Sequence, residues 1–113
     1  MTTHKPTSCR IGVKIYRINW EKQEWTKSSG YVGQHDPNLY VIRVLDEDIQ
    51  SADQAHIFLH EVMHALFDTI PCELVSDNKI SEETSCEVVS NQLTEFFMNN
   101  PEVLNWYVES VRQ

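Results

Sequence analysis

The amino-acid sequence predicts an α+β fold, with a small N-terminal antiparallel sheet followed by three helices. Two observations support this class. Apolar runs with strand periodicity lie before residue 50, and apolar residues at helical spacing follow it. Strands first and helices afterwards are typical of α+β domains. At 113 residues the chain has the length of one domain, 1–113, with a β-rich part at 1–50 and a helical part at 51–113.

The strand predictions rest on local apolar patterns. Alternation of apolar and more polar residues predicts a strand over residues 10–19. Weaker patterns predict a short return strand at 24–27 and at most a short strand at 31–33, and a turn is expected at 35–38. The strongest strand prediction is 39–45, which is apolar on both faces apart from one arginine.

The helix predictions rest on end signals as well as periodicity. Ser51, with Gln54 as the partner in a capping box, predicts a helix that runs to about residue 69. A second helix is expected over 82–99. Asn100 then supplies an N-cap and is followed by a proline suited to the first helical position, which predicts a third helix over 102–112.

Charge and composition narrow the classes of function. The 9 Lys and Arg against 17 Asp and Glu give a net charge of −8, which argues against nucleic-acid binding and attachment to anionic lipids. No apolar run approaches the roughly 20 residues that span a bilayer. The polar N-terminus and the odd number of cysteines, 3, favour a cytoplasmic protein with reduced thiols.

The chemical signal is an HExxH motif, formed by His60, Glu61 and His64. Residues four apart share one face of a helix, so both imidazoles can reach a single Zn²⁺ ion. Glu61 lies one step round the helix and suits a general base acting on water. In a shuffled chain of this composition the pattern would arise with a probability of roughly 0.02.

The surroundings of the motif bear on its interpretation. Apolar residues at 57–59 and 65–67 flank it on nearly every side, which predicts a centrally buried helix. The alternative interpretation is that the two histidines are hydrogen-bonded within a core, or form a stacked pair one helical turn apart. His56 lies in the same row, but eight residues of helix span about 12 Å, too far for it to share one ion with His64.

A zinc enzyme needs a third protein ligand and an open fourth position. The extended motif HExxHxxGxxH is excluded, because Phe67 and Ile70 stand at its glycine and third histidine. The remaining carboxylates are those of the next helix and of the segment before it: Glu82, Glu83 and Glu87, with Asp68 and Asp77 as further candidates.

Helix phase favours Glu83 among these carboxylates. It leads a stripe of small and apolar residues that is predicted to be buried: Cys86, Val89, Ser90 and Leu93. Glu87 lies one turn later, where it could hydrogen-bond a ligand histidine or replace Glu83 as a ligand. Glu82 also borders the stripe.

Residues 31–104 resemble the ImmA/IrrE family of metallopeptidases, small gluzincin-like proteins of which many are encoded by phages. The resemblance rests on the HExxH motif and on the glutamate-led stripe of the next helix. It implies a minimal zincin-like fold, with His60, His64 and Glu83 as zinc ligands and Glu61 as the catalytic base. It also implies a protein or peptide substrate such as a transcriptional repressor.

The expected activity is therefore zinc-dependent hydrolysis of peptide bonds, with the substrate added as a strand at the edge of the sheet. Candidates for stabilising the oxyanion are His35, Tyr40 and Tyr107. Two other classes compete. One is a zinc-stabilised interaction module of the antirepressor type, in which Cys72 or Cys86 supplies a fourth ligand. The other is an acidic DNA mimic, suggested only by the net charge.

Overall fold

The computed structural model describes residues 4–70 and 82–113. In chain order these residues form four strands and four helices: β1 (Ser8–Ile11), β2 (Lys14–Glu21), α1 (Gln23–Ser29), β3 (Gly33–Asp36), β4 (Val41–Leu45), α2 (Ser51–Phe67), α3 (Glu82–Asn99) and α4 (Pro101–Val111). The predicted α+β class is confirmed. None of the described helices is long and apolar enough to cross a membrane.

The four strands form a mixed sheet in the order β1-β2-β4-β3. β1 pairs antiparallel with β2, and β3 pairs antiparallel with β4, but β2 and β4 are parallel. The prediction of a purely antiparallel sheet is therefore wrong. Its cause is the segment predicted as a return strand at 24–27, which instead forms helix α1 and carries the chain across to a parallel neighbour.

Glycines mark two of the places where the strand predictions failed. Gly30 ends α1 at a left-handed φ of 81°, and its N–H donates to the carbonyl of Thr26 at 2.8 Å. Gly12, at φ 63°, turns the chain between β1 and β2, so the strand predicted over 10–19 is a hairpin. A strand also forms at Gly33–Asp36, partly in the segment predicted as a turn.

The core lies between one face of the sheet and the helices α2, α3 and α4. Phe58 and Val62 of α2 are fully buried against Ile42 and Val44 of β4 and the rest of the core cluster. Trp106 of α4 packs edge-on to Phe58, with ring centroids 5.3 Å apart. The prediction that the HExxH helix is buried on nearly every side is wrong, because α2 packs one face on the core and leaves His56, His60, His64 and Phe67 exposed on the other.

Helix α3 begins and ends as predicted, but its first half is not buried. Cys86 is exposed, whereas Phe96 is buried and Leu93 and Phe97 pack against the core. Periodicity identifies residues that share a face of a helix, but not whether another element covers that face. The buried stripe predicted from Cys86 onward therefore begins nearer the C-terminal end of the helix.

Asn100 occupies the predicted N-cap position of α4, but its side chain serves another purpose. No side-chain cap forms. Its Oδ1 accepts the backbone N–H of Arg10 at 2.7 Å, and its Nδ2 donates to the carbonyls of Arg10 and Phe96 at 2.8 and 2.7 Å. The side-chain amide therefore pairs with β1 as a peptide group would, and joins the α3–α4 corner to the sheet.

The capping box predicted at the start of α2 is wrong. Gln50 is the N-cap residue and makes no side-chain cap, and Ser51 already lies within the helix. Gln54 is buried, and its Nε2 donates to the carbonyl of Leu45 and to Oδ1 of Asp46, each at 2.8 Å. This glutamine is used to satisfy the end of β4, which leaves it unavailable to the N-terminus of its own helix.

Candidate metal centre

The two motif histidines converge on one point in front of α2. Nε2 of His60 lies 3.3 Å from Nε2 of His64, and the rings are nearly perpendicular, at 78°. Two nitrogens bound to one tetrahedral Zn²⁺ at about 2.0–2.1 Å lie about 3.3 Å apart. Both histidines are exposed, so they are not enclosed in the core, whereas a stacked pair of histidines one turn apart stays an alternative to two metal ligands. The pair fits two ligands of a zinc ion open to solvent.

Glu61 lies beside this pair and is covered by the edge strand β3. The residue is only 9% exposed. A Cβ atom added to Gly33 would lie 3.0 Å from Glu61 Oε2 and 2.6 Å from Ile57 Cγ2. Glycine is therefore required for the strand to approach the helix this closely. The approach holds the carboxylate between the metal-facing side of α2 and the edge of the sheet.

Replacing Gly33 with alanine tests this close approach. We expect the free energy of unfolding to fall by about 1–3 kcal/mol, because the added methyl group overlaps Ile57 and forces the strand or the side chain to move. Urea unfolding of Gly33→Ala beside the exposed neighbour Val32→Ala measures it. Equal stability of the two variants would contradict the close packing of Gly33 on Ile57 and Glu61.

His35 extends the site across β3. Its side chain is only 8% exposed, its Nε2 lies 3.1 Å from the Tyr16 hydroxyl, and Asp68 Oδ2 lies 3.7 Å from the same nitrogen. Burial is the main cause that lowers the pKa of His35. The carboxylates of Asp68 and Glu61 oppose this shift, and His64 adds to it. His35 therefore lies within electrostatic reach of the motif.

The protonation states of this pair follow from burial. Burial also raises the pKa of Tyr16, so the phenol keeps its proton. A neutral His35 beside a protonated phenol favours donation from the Tyr16 hydroxyl to Nε2. Of the three oxyanion candidates, the structure brings His35 to the motif, whereas Tyr40 packs against Tyr16 and Tyr107 packs against Phe97.

The lowered pKa of His35 predicts a dependence of stability on pH. Because the folded pKa lies below the unfolded value of about 6.5, the unfolded chain binds the extra proton more readily. The contribution of His35 to stability is thus fully present above its unfolded pKa of about 6.5. It is lost as the pH falls through the unfolded pKa toward the folded one. Between pH 7.5 and pH 5, the melting temperature of the wild type should fall more steeply than that of His35→Gln. Parallel profiles would contradict this account.

The third ligand is not brought to the histidine pair by the described residues. Glu83 and Glu87 are both exposed on α3, and Glu87 Oε1 accepts a long hydrogen bond of 3.4 Å from Asn91 Nδ2. Within residues 4–70 and 82–113, no group of three or more His, Cys, Asp or Glu side chains could hold a metal ion. The assignment of Glu83 or Glu87 as a ligand stays a prediction.

The remaining candidate metal ligands lie away from the histidine pair or outside the described residues. Asp68 lies one turn after His64, but its carboxylate faces His35 and is 57% exposed. Cys72, Asp77 and the side chain of Glu82 lie outside the described part of the chain. Sequence reasoning missed Gly33 and Tyr16, since neither carries a local signal for a site; only the approach of β3 to α2 makes them part of it.

Comparison of the chain with family models, with curated proteins and with solved structures gives no match. The resemblance to the ImmA/IrrE family therefore rests on the residues themselves, chiefly His60, Glu61 and His64. The site itself offers two convergent imidazole nitrogens, a covered carboxylate and an adjacent strand edge.

Proposed function

We propose that this protein is a zinc-dependent peptidase that hydrolyses an extended segment of a protein substrate. The observation that carries the proposal is the 3.3 Å separation of the His60 and His64 Nε2 atoms, directly beside Glu61 and the edge of the sheet. A pair of imidazoles at this separation suits two positions of a tetrahedral zinc ion, and a catalytic site would add a third protein ligand and keep the fourth position open.

His60 and His64 would hold the ion, with Glu83 as the third ligand and Glu87 or Glu82 as the alternatives. Bound zinc supplies a Lewis acid that makes water more acidic and polarises a peptide carbonyl. Glu61 accepts the proton from water and passes it to the leaving amine. Because β3 covers Glu61, its carboxylate can take few positions, so little conformational entropy is lost when it reaches the reactive one.

His35 is the described residue best suited to assist at the developing oxyanion. It faces α2 from β3, and its ring is fixed by Tyr16. A neutral imidazole held in this way can donate a hydrogen bond through Nδ1 while Nε2 accepts from the phenol. The Asp68 carboxylate stabilises any positive charge that His35 gains.

The outer edge of β3, with which no described strand pairs, is where an extended substrate would add. Leu45 N–H donates to the carbonyl of Val32 at 2.9 Å. Along an antiparallel pair, every second residue hydrogen-bonds to the partner strand, so the backbone N–H and C=O groups of Gly33 and His35 point away from β4. A peptide paired with these groups would run past Glu61 and the histidine pair. Strand addition supplies affinity through main-chain hydrogen bonds. The resemblance to ImmA/IrrE proteins supports a cytoplasmic repressor or regulatory factor as the substrate.

Metal content is the measurement that tests the proposal. The protein, purified without chelator, is expected to hold about one zinc per chain, and His60→Ala and His64→Ala should each lose at least tenfold in zinc affinity. His56→Ala is the matched control, because His56 is an exposed histidine on the same helix, one turn before His60. Glu82→Ala, Glu83→Ala and Glu87→Ala identify the third ligand by the same measurement.

Two results separate the candidate functions. If the wild type holds no zinc and takes up none when zinc is added, the peptidase proposal is wrong. If zinc is retained in all three glutamate variants but lost in Cys86→Ser or Cys72→Ser, the site is closed by cysteine, and the interaction module replaces the peptidase.

A further inference from the structure

The cationic residues of this acidic protein are concentrated in its first two strands. Residues 1–20 contain 4 of the 9 Lys and Arg and none of the 17 Asp and Glu. Three of these four, Arg10, Lys14 and Arg17, belong to the neighbouring strands β1 and β2. The stretch in which these two strands pair is therefore cationic, within a protein whose net charge is −8.

Two of these arginines lie on the face of the sheet that is turned away from the core. The residues before and after each arginine belong to the core cluster: Cys9, Ile11, Tyr16 and Ile18. Successive side chains of a strand point to opposite faces, so Arg10 and Arg17 point away from the core. Arg10 pairs in register with Ile15, two residues before Arg17. The two arginines are therefore diagonal neighbours on this face, about 7–8 Å apart.

Neither of these guanidinium groups has a hydrogen-bond or ion-pair partner within the described part of the chain. Both side chains are exposed, and Arg10 bonds to Asn100 through its backbone alone. Arg43, on the same face of β4, differs, since its Nη1 donates to Gln34 Oε1 at 3.1 Å. A guanidinium carries five donors in a planar fork that fits a carboxylate. The donors of Arg10 and Arg17 are thus available to a ligand from outside.

An exposed isoleucine adjoins both arginines. Ile15 is 61% exposed; it lies opposite Arg10 and on the same face of β2 as Arg17. We name Arg10, Ile15 and Arg17 the arginine face. Arginine is enriched at protein–protein interfaces, where apolar side chains form the centre of the contact. The arginine face therefore combines the two kinds of side chain that such a contact uses.

A cavity of about 370 Å³ lies where the arginine face meets the edge of β1. Ser8, Arg10 and Ile15 line it from the sheet, and the corner between α3 and α4 supplies the opposite wall. Its volume is within the range of about 300–1,000 Å³ that is typical of ligand pockets. Glu102 belongs to the opposite wall and forms no ion pair with Arg10. Its negative charge works against an anionic ligand at this cavity.

The charge of the rest of the protein distinguishes between anionic partners. Beyond residue 20 the chain has 5 Lys and Arg against 17 Asp and Glu, so a long polyanion would extend onto a repulsive surface. A nucleic acid carries one charge about every 3.4 Å of each strand and cannot end within two arginines. A short acidic segment can. At physiological salt, charges farther away than about 8 Å act on it only weakly.

We propose that the arginine face binds an acidic segment of a protein partner, whose carboxylates pair with Arg10 and Arg17 and whose apolar side chain packs on Ile15. Alternate residues of an extended segment are about 6.6 Å apart, which suits the spacing of the two arginines. The surface lies on the opposite side of the sheet from α2, which packs on the core face. It is therefore separate from the histidine pair and from the proposed hydrolysis.

A peptide selection tests the proposal without knowledge of the partner. Random dodecapeptides displayed on phage are selected on the purified protein, after depletion on the double variant Arg10→Ala/Arg17→Ala. The depletion removes peptides that bind elsewhere, including at the histidine pair. We expect Asp and Glu to be enriched about threefold at alternate positions beside a bulky apolar residue. A selected profile without an excess of Asp and Glu would overturn the proposal.

Fluorescence anisotropy with the best selected peptide measures the contribution of each residue. Arg10→Ala and Arg17→Ala should each weaken binding about threefold, and Glu102→Gln should strengthen it about twofold. Arg112→Ala is the matched control, because Arg112 is an exposed arginine whose neighbour Gln113 bonds to Ser51 at the far end of α2. The gain in Glu102→Gln keeps the test decisive if an arginine variant folds poorly.

The remaining outcomes are equally distinct. Affinity unchanged in both Arg10→Ala and Arg17→Ala would overturn the proposal. Single-stranded dodecathymidylate is the nucleic-acid probe. If it binds more tightly than the selected peptide and loses affinity in the same variants, the face binds nucleic acid and the protein partner is wrong. None of these measurements depends on turnover, so failure of the peptidase proposal would leave them unchanged.

Discussion

Glu61→Gln is expected to lower the rate of peptide hydrolysis by about 10²–10⁴-fold, the usual contribution of a general base. Glutamine has the size of glutamate, so it fills the space under Gly33 without displacing β3. It lacks the basic oxygen that accepts a proton from water. The fall should therefore appear in kcat, with little change in the affinity for a peptide held at the strand edge.

Two further measurements make this result specific. Zinc content should be unchanged in Glu61→Gln, because a general base does not itself hold the metal. Glu95→Gln is the matched control, because Glu95 is an exposed glutamate on α3. This substitution should leave the rate of hydrolysis unaltered. If Glu61→Gln loses its zinc together with its activity, Glu61 holds the metal rather than acting as a base, and the assignment of roles within the motif is wrong.

Asn100→Ala is expected to lower the free energy of unfolding by about 3 kcal/mol, and thus the melting temperature by about 10–20 °C. The substitution removes three hydrogen bonds and leaves the N–H and C=O of Arg10 and the carbonyl of Phe96 without their partner. Two elements 90 residues apart in the chain lose their connection at once.

The neighbouring Asn99→Ala is the matched control, because Asn99 is exposed and its substitution should change stability by less than about 0.5 kcal/mol. Asn100→Asp keeps the acceptor for Arg10 but loses both donors, so we expect it to be destabilised as well. Thermal and urea unfolding give the values. Stability of Asn100→Ala equal to that of Asn99→Ala would show that the amide pairing contributes nothing.

The helices were the most predictable part of the fold. Pro71 and the pair Asn100 and Pro101 divide the second half of the chain, and α2, α3 and α4 begin or end within about two residues of the predicted limits. Such signals act locally, through missing donors and restricted φ angles. The helix α1 was missed because its seven residues carry no apolar stripe, although Gly30 is a typical C′ residue.

Local sequence patterns do not contain the contacts between distant segments that form the sheet and part of the site. The 3.3 Å separation of His60 and His64 follows from helical spacing, and could be expected before the structure. The cover over Glu61 could not, because it depends on β3 reaching across to α2 at Gly33. The position of His35 beside the motif could not be expected either, because the sequence did not distinguish it from Tyr40 and Tyr107 as a candidate for stabilising the oxyanion. Such relations arise from tertiary packing between segments remote in the chain.

The amide of Asn100 also has a consequence for self-association. In a β-sheet with two exposed edges, copies can add at either side and polymerise without limit. Here the outward backbone groups of Arg10 on β1 are already engaged by a side chain, while those of Gly33 and His35 on β3 are turned outward. At Arg10 the β1 edge is thus closed to a guest strand by the molecule's own side chain, which limits edge-to-edge pairing at that point, whereas the outward groups of β3 keep the pattern that a guest strand pairs with.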